Sequence, residues 1–226
     1  MKSCEDYRCM AIFNAENKGS EKLIKKTCLY RPNLLYSGRK PAIFCRRFGV
    51  TMRVILNSKQ VERVLKDLSA RIVSDTPPDV HIAVIGIRSR GEILAQRLSS
   101  LLSKSLGKDV PCGTLDITLY RDDLNSPQGV AQPQVRTTEI GFDVNDKIII
   151  LVDDVLYTGR SARAAMDALI DLGRPKAIKL AVLVDRMGRE LPIQADYAGY
   201  KSDAKPDELV QVNLVESDGK DQVVIE

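Results

Sequence analysis

A run of apolar residues that ends in two adjacent carboxylates constrains the fold of this chain more than any other feature. Residues 148–152 read IIILV, and Asp153 and Asp154 follow directly. An uninterrupted apolar run predicts a strand that is buried on both faces, as in parallel sheets. Two unpaired carboxylates inside a core would each lose their hydration at a large cost in free energy. The pair must therefore lie where the strand emerges, facing hydroxyl groups, a metal ion or solvent.

The segments around this strand alternate between helix and strand patterns. The predicted helices, from the spacing of their apolar residues, span 58–73, 88–107 and 161–173, with Ser58 as the first N-cap. The predicted strands span 81–87, 112–124, 147–154 and 177–185, and a hairpin is expected around Asp218 and Gly219. Such alternation indicates an α/β fold with a central, mainly parallel sheet and helices on both faces. Ligands of such sheets bind at the carboxyl ends of the strands.

Charge divides the chain into two parts. Residues 1–50 carry 11 Lys and Arg against 4 Asp and Glu, whereas residues 51–226 carry 23 against 26. The positive balance therefore belongs to the first segment, and net charge gives little support to nucleic-acid binding by the rest. Residues 1–50 also lack a sustained hydrophobic period. We predict a disordered extension there, or a native start at Met52, followed by one domain over residues 51–226.

Cysteine usage and hydropathy suggest the compartment. Four of the five cysteines lie in the first 50 residues, their spacing matches no zinc pattern, and His81 is the only histidine. A disulfide framework is not expected in a chain of this length with so few cysteines elsewhere. No apolar run approaches the ~20 residues that a membrane-spanning helix needs. The expected location is the cytoplasm, without membrane attachment.

A small polar loop follows the carboxylate pair and leads into a predicted helix. Residues 158–161 read TGRS, and a glycine-containing turn at a helix N-terminus directs several backbone N–H groups at one anion. Thr158 and Ser161 add hydroxyl donors. A phosphate on this loop with two carboxylates nearby describes a ribose 5-phosphate, whose hydroxyls would bond to the carboxylates.

The carboxylate pair has two other interpretations. The pair could cap a turn at the end of the strand and have no ligand. It could also form the acidic pocket of a response-regulator receiver, but that arrangement would need the pair on the first strand and a phosphoacceptor Asp on a later one. Here the pair lies in the latter half of the chain, which argues against a receiver.

The motif IIILVDDVLYTGRS resembles the phosphoribosyl-diphosphate (PRPP) binding motif of type I phosphoribosyltransferases. Together with TLYRDDL, LAVLVDR and RELPI, it resembles the PyrR family over about residues 52–226. Members of this family are uracil phosphoribosyltransferases that also regulate pyrimidine operons. The resemblance implies a type I phosphoribosyltransferase fold with a small hood, PRPP and uracil as substrates, UMP and UTP as nucleotide ligands, and a homodimer or larger homo-oligomer.

The same resemblance implies roles for individual residues. Asp153 and Asp154 would be catalytic: they would bind the ribose hydroxyls and, through PRPP, the Mg²⁺ that bridges pyrophosphate and ribose oxygens. Arg88, Arg90 and Arg121 would be catalytic by neutralising the leaving pyrophosphate, and a mobile loop beginning at residues 120–123 would close over PRPP. The other residues implied for PRPP and phosphate binding are Ser89, Gly91, Val155, Leu156, Tyr157, Thr158, Gly159, Arg160 and Ser161. The hood residues implied to frame uracil are Val184, Asp185 and Arg186.

An RNA-binding role is the alternative that the resemblance carries. RNA-binding members have a Thr-Arg pair followed by His on the first helix, where this chain has Lys66, Asp67 and Ala70. Arg163 and Arg189 are the remaining candidates for RNA contacts. The alternative function is therefore an attenuation regulator that binds an mRNA leader and has weak catalysis.

Overall fold

The computed structural model describes residues 11–18, 21–28, 50–122 and 137–226. Its strands are β1 (Ala11–Lys18), β2 (Glu21–Cys28), β3 (Val50–Leu56), β4 (Ile82–Ile87), β5 (Cys112–Leu115), β6 (Ile148–Leu156), β7 (Ala177–Arg186), β8 (Tyr197–Ser202), β9 (Val210–Asn213) and β10 (Gln222–Ile225). Its helices are α1 (Ser58–Asp75), α2 (Arg90–Leu106), α3 (Arg160–Leu172) and the short α4 (Val215–Asp218).

The main sheet has the strand order β5-β4-β6-β7-β8, and every neighbouring pair is parallel. Successive strand residues point to opposite faces, and the two faces bury different helices. Ile82, Val84 and Ile150 pack with α1 and α2 in one core, whereas Ala83 and Ile149 pack with α3 in the other. The predicted α/β fold with helices on both faces is confirmed.

The first helix, α1, begins at Ser58, the residue that was predicted to be its N-cap. Asn57, not Ser58, is the N-cap: its Oδ1 accepts from the Gln60 N–H at 3.1 Å. The Gln60 Oε1 accepts from the Asn57 N–H at 2.9 Å, which completes a capping box. Both residue types cap helices well, so the sequence alone did not separate the two positions.

A second, antiparallel sheet has the order β1-β2-β3-β10-β9. Its β9 and β10 form the predicted hairpin, with α4 and Gly219 in the connection. β1 and β2 lie inside the segment for which no regular structure was predicted, and β2 pairs with β3. Whether residues 1–50 belong to the native chain stays a prediction.

The strand predicted over 112–124 is shorter in the structure. β5 ends at Leu115, and a 3₁₀ turn follows over Thr118–Tyr120. The loop predicted to begin at residues 120–123 falls largely outside the described residues. β8 was not predicted; its Gly199 lets the strand approach α1, since an added Cβ would lie 2.3 Å from Val64 Cγ1. In the described part of the chain, no helix combines the length and hydropathy that crossing a membrane requires.

Candidate active site

The carboxyl ends of β4, β6 and β7 meet at one edge of the main sheet, because these strands are parallel neighbours. A polar cavity of about 250 Å³ opens there. Its lining consists of Ile87, Arg88, Ser89, Arg90, Asp116, Ile117, Thr118, Arg121, Asp153, Asp154, Val155 and Ser161. The structure thus brings together all five residues that were predicted to be catalytic, although they come from segments far apart in the chain.

The two carboxylates of β6 are partly buried and adjacent. Burial, together with the charge of Asp154, raises the pKa of Asp153 well above its ordinary value. Burial also raises the pKa of Asp154, while the Val155 N–H and the positive charge of Arg90 act in the opposite direction. Two such carboxylates in one cavity favour a ligand that donates hydrogen bonds or brings positive charge.

The arginines of the loop between β4 and α2 are both held by carboxylates. Arg88 pairs with Glu139 at 2.9 Å and with Glu92 at 3.4 Å. Arg90 donates from Nη2 to Asp218 Oδ1 at 3.3 Å, and its Nε is buried without a hydrogen-bond partner among the described residues. Both guanidinium groups therefore stay at the cavity that contains the carboxylate pair, where they can attract an anion.

A second cavity, of about 150 Å³, adjoins the first. It is lined by Asp153, Val155, Leu156, Tyr157, Thr158, Gly159, Ser161 and Ala162. Gly159, the N-cap of α3, has a φ of 94°, a left-handed conformation that favours glycine and turns the loop toward the helix. The amides at this helix N-terminus and the hydroxyls of Thr158 and Ser161 can bind an anion such as a phosphate.

The loop at the N-terminus of α3, residues 158–161, is hydrogen-bonded to the hood segment, residues 186–192. The carbonyl of Thr158 accepts from the N–H groups of Glu190 and Leu191, both at 3.0 Å. Arg160 does not line the second cavity; its guanidinium pairs with Glu190 at 2.8 Å and with Asp122. The predicted contribution of Arg160 to phosphate binding therefore falls on its backbone N–H.

The arginines assigned to the hood and to RNA are engaged within the fold. Arg186 is 4% exposed, donates to the carbonyls of Lys205 and Glu208 at 2.8 Å, and lies 4.0 Å from the Tyr157 ring centroid. Arg189 pairs with Asp185 and donates to the carbonyls of Leu156, Tyr157, Arg186 and Ile193. Arg163 donates to the Tyr120 carbonyl and pairs with Asp167.

The region expected to frame a base lies beside these arginines. A larger cavity of about 900 Å³ is lined by residues that include Asp185, Arg186, Met187, Gly188 and Arg189. Val184, the third residue predicted for the hood, is fully buried in the core, so its side chain does not reach a ligand. Its backbone is all that it could offer to a base.

Sequence reasoning missed two polar residues that line the first cavity and one glycine that supports the loop between β4 and α2. Asp116 and Thr118 line the polar cavity, and Asp116 Oδ1 accepts from both the N–H and the hydroxyl of Thr118. Their position just after β5 was the available signal, because β5 ends at the same edge of the sheet as β4. Gly86 lets β4 approach the start of α2, and no chemical motif marks it.

Comparison with known proteins decides the family. A family model described as "Phosphoribosyl transferase domain" matches residues 53–217. "Bifunctional protein PyrR" of Deinococcus radiodurans is 52% identical over 169 residues, which cover 75% of this chain and 91% of that protein. The chain belongs to the PyrR family. A second PyrR protein, from Alkaliphilus metalliredigens, is 49% identical over 172 residues, covering 76% and 93% of the two chains.

Solved structures agree with the phosphoribosyltransferase fold of this PyrR family member. A hypoxanthine-guanine phosphoribosyltransferase of Bacillus anthracis superposes with a TM-score of 0.56 at 18% identity, over 76% of this chain and 95% of that one. The hypoxanthine phosphoribosyltransferase of Trypanosoma cruzi gives a TM-score of 0.56 at 17% identity, over 76% and 94%. At these identities the likeness establishes the fold alone.

Proposed function

We propose that this protein transfers a 5-phosphoribosyl group from PRPP to N1 of uracil, forming UMP and releasing pyrophosphate. The observation that carries the proposal is the pair of adjoining cavities that share Asp153. One is lined by three carboxylates, among them Asp153 and Asp154, and by three arginines, and the other ends at a helix N-terminus. PRPP has hydroxyls between two anionic ends. The carboxylates complement the hydroxyls, and the arginines and the helix N-terminus complement the two anionic ends.

The phosphoribosyl part of PRPP would occupy the shared region of the two cavities. Its 5-phosphate accepts hydrogen bonds from the amides of residues 158–161 and from the hydroxyls of Thr158 and Ser161. Its 2- and 3-hydroxyls would donate to Asp153 and Asp154 on β6. These contacts hold C1 of the ribose in a fixed position, which is chiefly an orientation effect.

The donor set of the polar cavity fits Mg²⁺. Asp116, Asp153 and Asp154 line it, and Mg²⁺ is commonly held by one or two carboxylates together with substrate phosphates. Within residues 50–122 and 137–226, no three His, Cys, Asp or Glu side chains are grouped as an all-protein metal site. The residues that would hold the ion are Asp153 and Asp154, with PRPP oxygens completing the coordination. When bound, it would add positive charge against the pyrophosphate.

The reaction follows from the distribution of charge in this site. The C1–O bond breaks with its electron pair going to pyrophosphate, while N1 of uracil forms the new bond to C1 and its proton passes to the departing pyrophosphate. C1 acquires positive character during this exchange, and the leaving group gains negative charge. Arg88, Arg90 and Arg121 line the polar cavity, and their positive charges would stabilise that negative charge.

The base would lie at the end of β7, against Asp185 and Arg186. Preference for uracil is supported by membership of the PyrR family, as implied by the resemblance described above. Purine bases are the relevant comparison, because the solved neighbours are named as hypoxanthine or hypoxanthine-guanine phosphoribosyltransferases. The family also leads us to expect UMP and UTP as ligands and a homodimer or larger homo-oligomer.

We expect the purified protein to form UMP from uracil and PRPP only when Mg²⁺ is present. Product formation is measured by chromatography with uracil, hypoxanthine and guanine as alternative bases, each with and without chelator. With uracil, kcat/KM is expected to exceed that with either purine by at least about 100-fold, since a base site rejects analogues that leave its polar groups unpaired. Nucleotide formation from purines alone would contradict the uracil assignment but keep phosphoribosyl transfer.

RNA binding is the second activity that the relatives' description as bifunctional suggests. The contacts of Arg163 and Arg189 argue against strong phosphate binding by these two side chains, since an RNA phosphate would have to displace partners within the fold. We therefore expect retention of a pyrimidine-operon leader RNA to be weak and to depend shallowly on salt. Filter binding across a salt series, with and without UMP, measures this; tight, UMP-dependent retention would refute the expectation.

A further inference from the structure

Two arginines of α2 tie this helix to the tail segment, residues 214–221. Arg97 donates to Glu216 and Asp221 at distances of 2.5 to 2.9 Å. Arg90 lies seven positions earlier, about two helical turns, so the two side chains leave α2 on the same side. Arg90 donates to Asp218 at 3.3 Å. The tail segment therefore holds both the middle of α2 and the arginine at its first position.

Asp218 is itself fixed in place. Its Oδ2 accepts from the Ser217 hydroxyl at 2.6 Å and from the Leu214 N–H at 3.0 Å. These two hydrogen bonds lower the pKa of Asp218, so the group is a carboxylate at neutral pH. With Oδ2 engaged inside the tail segment, Oδ1 is the atom that faces Arg90.

Arg90 is the side chain that the fixed carboxylate of Asp218 orients. It lines the polar cavity and its charge acts on Asp154. A long side chain that is free to rotate must be ordered when it binds a ligand, which opposes binding. The contact with Asp218 uses Nη2 alone, whereas Nε is buried without a partner among residues 50–122 and 137–226. Arg90 is thus oriented by a carboxylate from outside the cavity while it retains capacity to donate.

We propose that Asp218 is a positioning residue for phosphoribosyl transfer, which holds Arg90 in the orientation that receives the pyrophosphate of PRPP. The inference rests on the proposed function and adds one residue of the tail segment, Asp218, to the groups that prepare the substrate site. Arg88, on the same loop, is held in a similar way, because its guanidinium pairs with Glu92 and Glu139. Each arginine of the loop then meets the pyrophosphate with its own carboxylate support.

The test compares Asp218→Asn with Glu216→Gln, a matched control from the same short helix. Both substitutions remove one charge and weaken the pairing with one α2 arginine, but only Asp218 contacts the arginine at the cavity. Asp218→Asn is expected to raise the KM for PRPP and the inhibition constant of pyrophosphate by about fivefold to tenfold. KM for uracil stays unchanged, and Glu216→Gln stays within about twofold of the wild type on all three constants.

A double-substitution cycle separates positioning from a general effect on folding. In an Arg90→Gln background, Asp218→Asn should have no further effect on KM for PRPP, because the residue that it positions is absent. If Asp218→Asn does not fold, Ser217→Ala replaces it. This change keeps the carboxylate charged but removes the 2.6 Å contact that orients it, and it is expected to raise KM for PRPP by about twofold to threefold.

The outcomes distinguish this inference from the proposed function. Equal effects of Asp218→Asn and Glu216→Gln, or an unchanged KM for PRPP in Asp218→Asn, would overturn the positioning role in an active enzyme. An additive effect in the Arg90→Gln background would overturn it as well. A wild-type protein that neither binds pyrophosphate in calorimetry nor forms a nucleotide from any base would instead overturn the proposed function.

Discussion

Asp153→Asn is expected to lower kcat/KM for UMP formation by about 100-fold to 1000-fold and to raise the melting temperature of the ligand-free protein by about 2–4 °C. The loss of activity follows because Asn accepts hydrogen bonds from ribose hydroxyls more weakly and cannot share Mg²⁺ with PRPP. The gain in stability follows because burial and the charge of Asp154 oppose ionisation of Asp153. The same carboxylate thus serves the reaction at the expense of the fold.

The raised pKa of Asp153 also predicts how the stability of the folded protein changes with pH. The pKa of Asp153 is raised in the folded protein above the ordinary value of 3.8 that applies when the chain is unfolded. Between these two values the folded state binds more protons than the unfolded state, so stability falls as pH rises from about 4 through the folded pKa. Above that window the cost is fully present. In the Asp153→Asn variant the side chain at position 153 does not ionise, so the stability of that variant should decline less over the same pH range.

Thermal unfolding from pH 4 to 8 and steady-state kinetics at pH 8 measure the two effects. Asp207→Asn is the control, since Asp207 is exposed and lines neither of the two adjoining cavities. It should change neither the slope of stability with pH nor kcat/KM. PRPP with Mg²⁺ should stabilise the wild type and leave the Asp153→Asn variant almost unaffected. A variant that is both active and less stable would falsify the assignment of Asp153.

Much of the fold and part of the site could be predicted because their signals are local. Apolar runs and helical spacing located four strands of the main sheet and its three long helices, and parallel strands bring their ends together by necessity. β8 escaped prediction because YAGYKS lacks a clear apolar pattern. What makes it a strand is its pairing with β7 and the close approach of α1, both of which are tertiary.

The features of the site that could not be predicted from the sequence also depend on tertiary contacts. Arg90 and Asp218 lie 128 positions apart, and no spacing rule connects them. Arg189 was a candidate for RNA contacts through the family resemblance, but the carbonyls that its guanidinium contacts are brought together only by the folded chain. Sequence identifies which residues can carry charge, whereas the partner of each charge depends on the folded chain.

Gly86→Ala is the substitution away from ionisable groups for which we expect the largest effect. A Cβ at this position would lie 2.4 Å from the Gly91 carbonyl oxygen and 2.6 Å from Glu92 Cα. Both are backbone atoms, so the first turn of α2 would have to move. Overpacking of this kind costs about 3 kcal/mol. We expect the free energy of unfolding in urea to fall by that amount.

The same displacement should reach the reaction, because the backbone that moves carries Arg88 and Arg90. Gly91 also approaches β6 closely, where its own Cβ would lie 2.6 Å from the Val152 carbonyl oxygen next to Asp153. The loop therefore cannot shift toward the carboxylates and must shift away from them. A misplacement of about 1 Å in a catalytic constellation can cost about 100-fold, and we expect kcat/KM for PRPP to fall by that factor.

Gly141→Ala is the matched control for Gly86→Ala. A Cβ at Gly141 meets no atom within 4 Å, and the loss of backbone freedom in the unfolded chain should leave stability unchanged or raise it by about 0.5 kcal/mol. Urea unfolding and PRPP kinetics of both variants, at a temperature where Gly86→Ala remains folded, separate loss of fold from loss of geometry. If Gly86→Ala matched Gly141→Ala in both measurements, the close approach of β4 and α2 would have no part in positioning the loop between them, which carries Arg88 and Arg90.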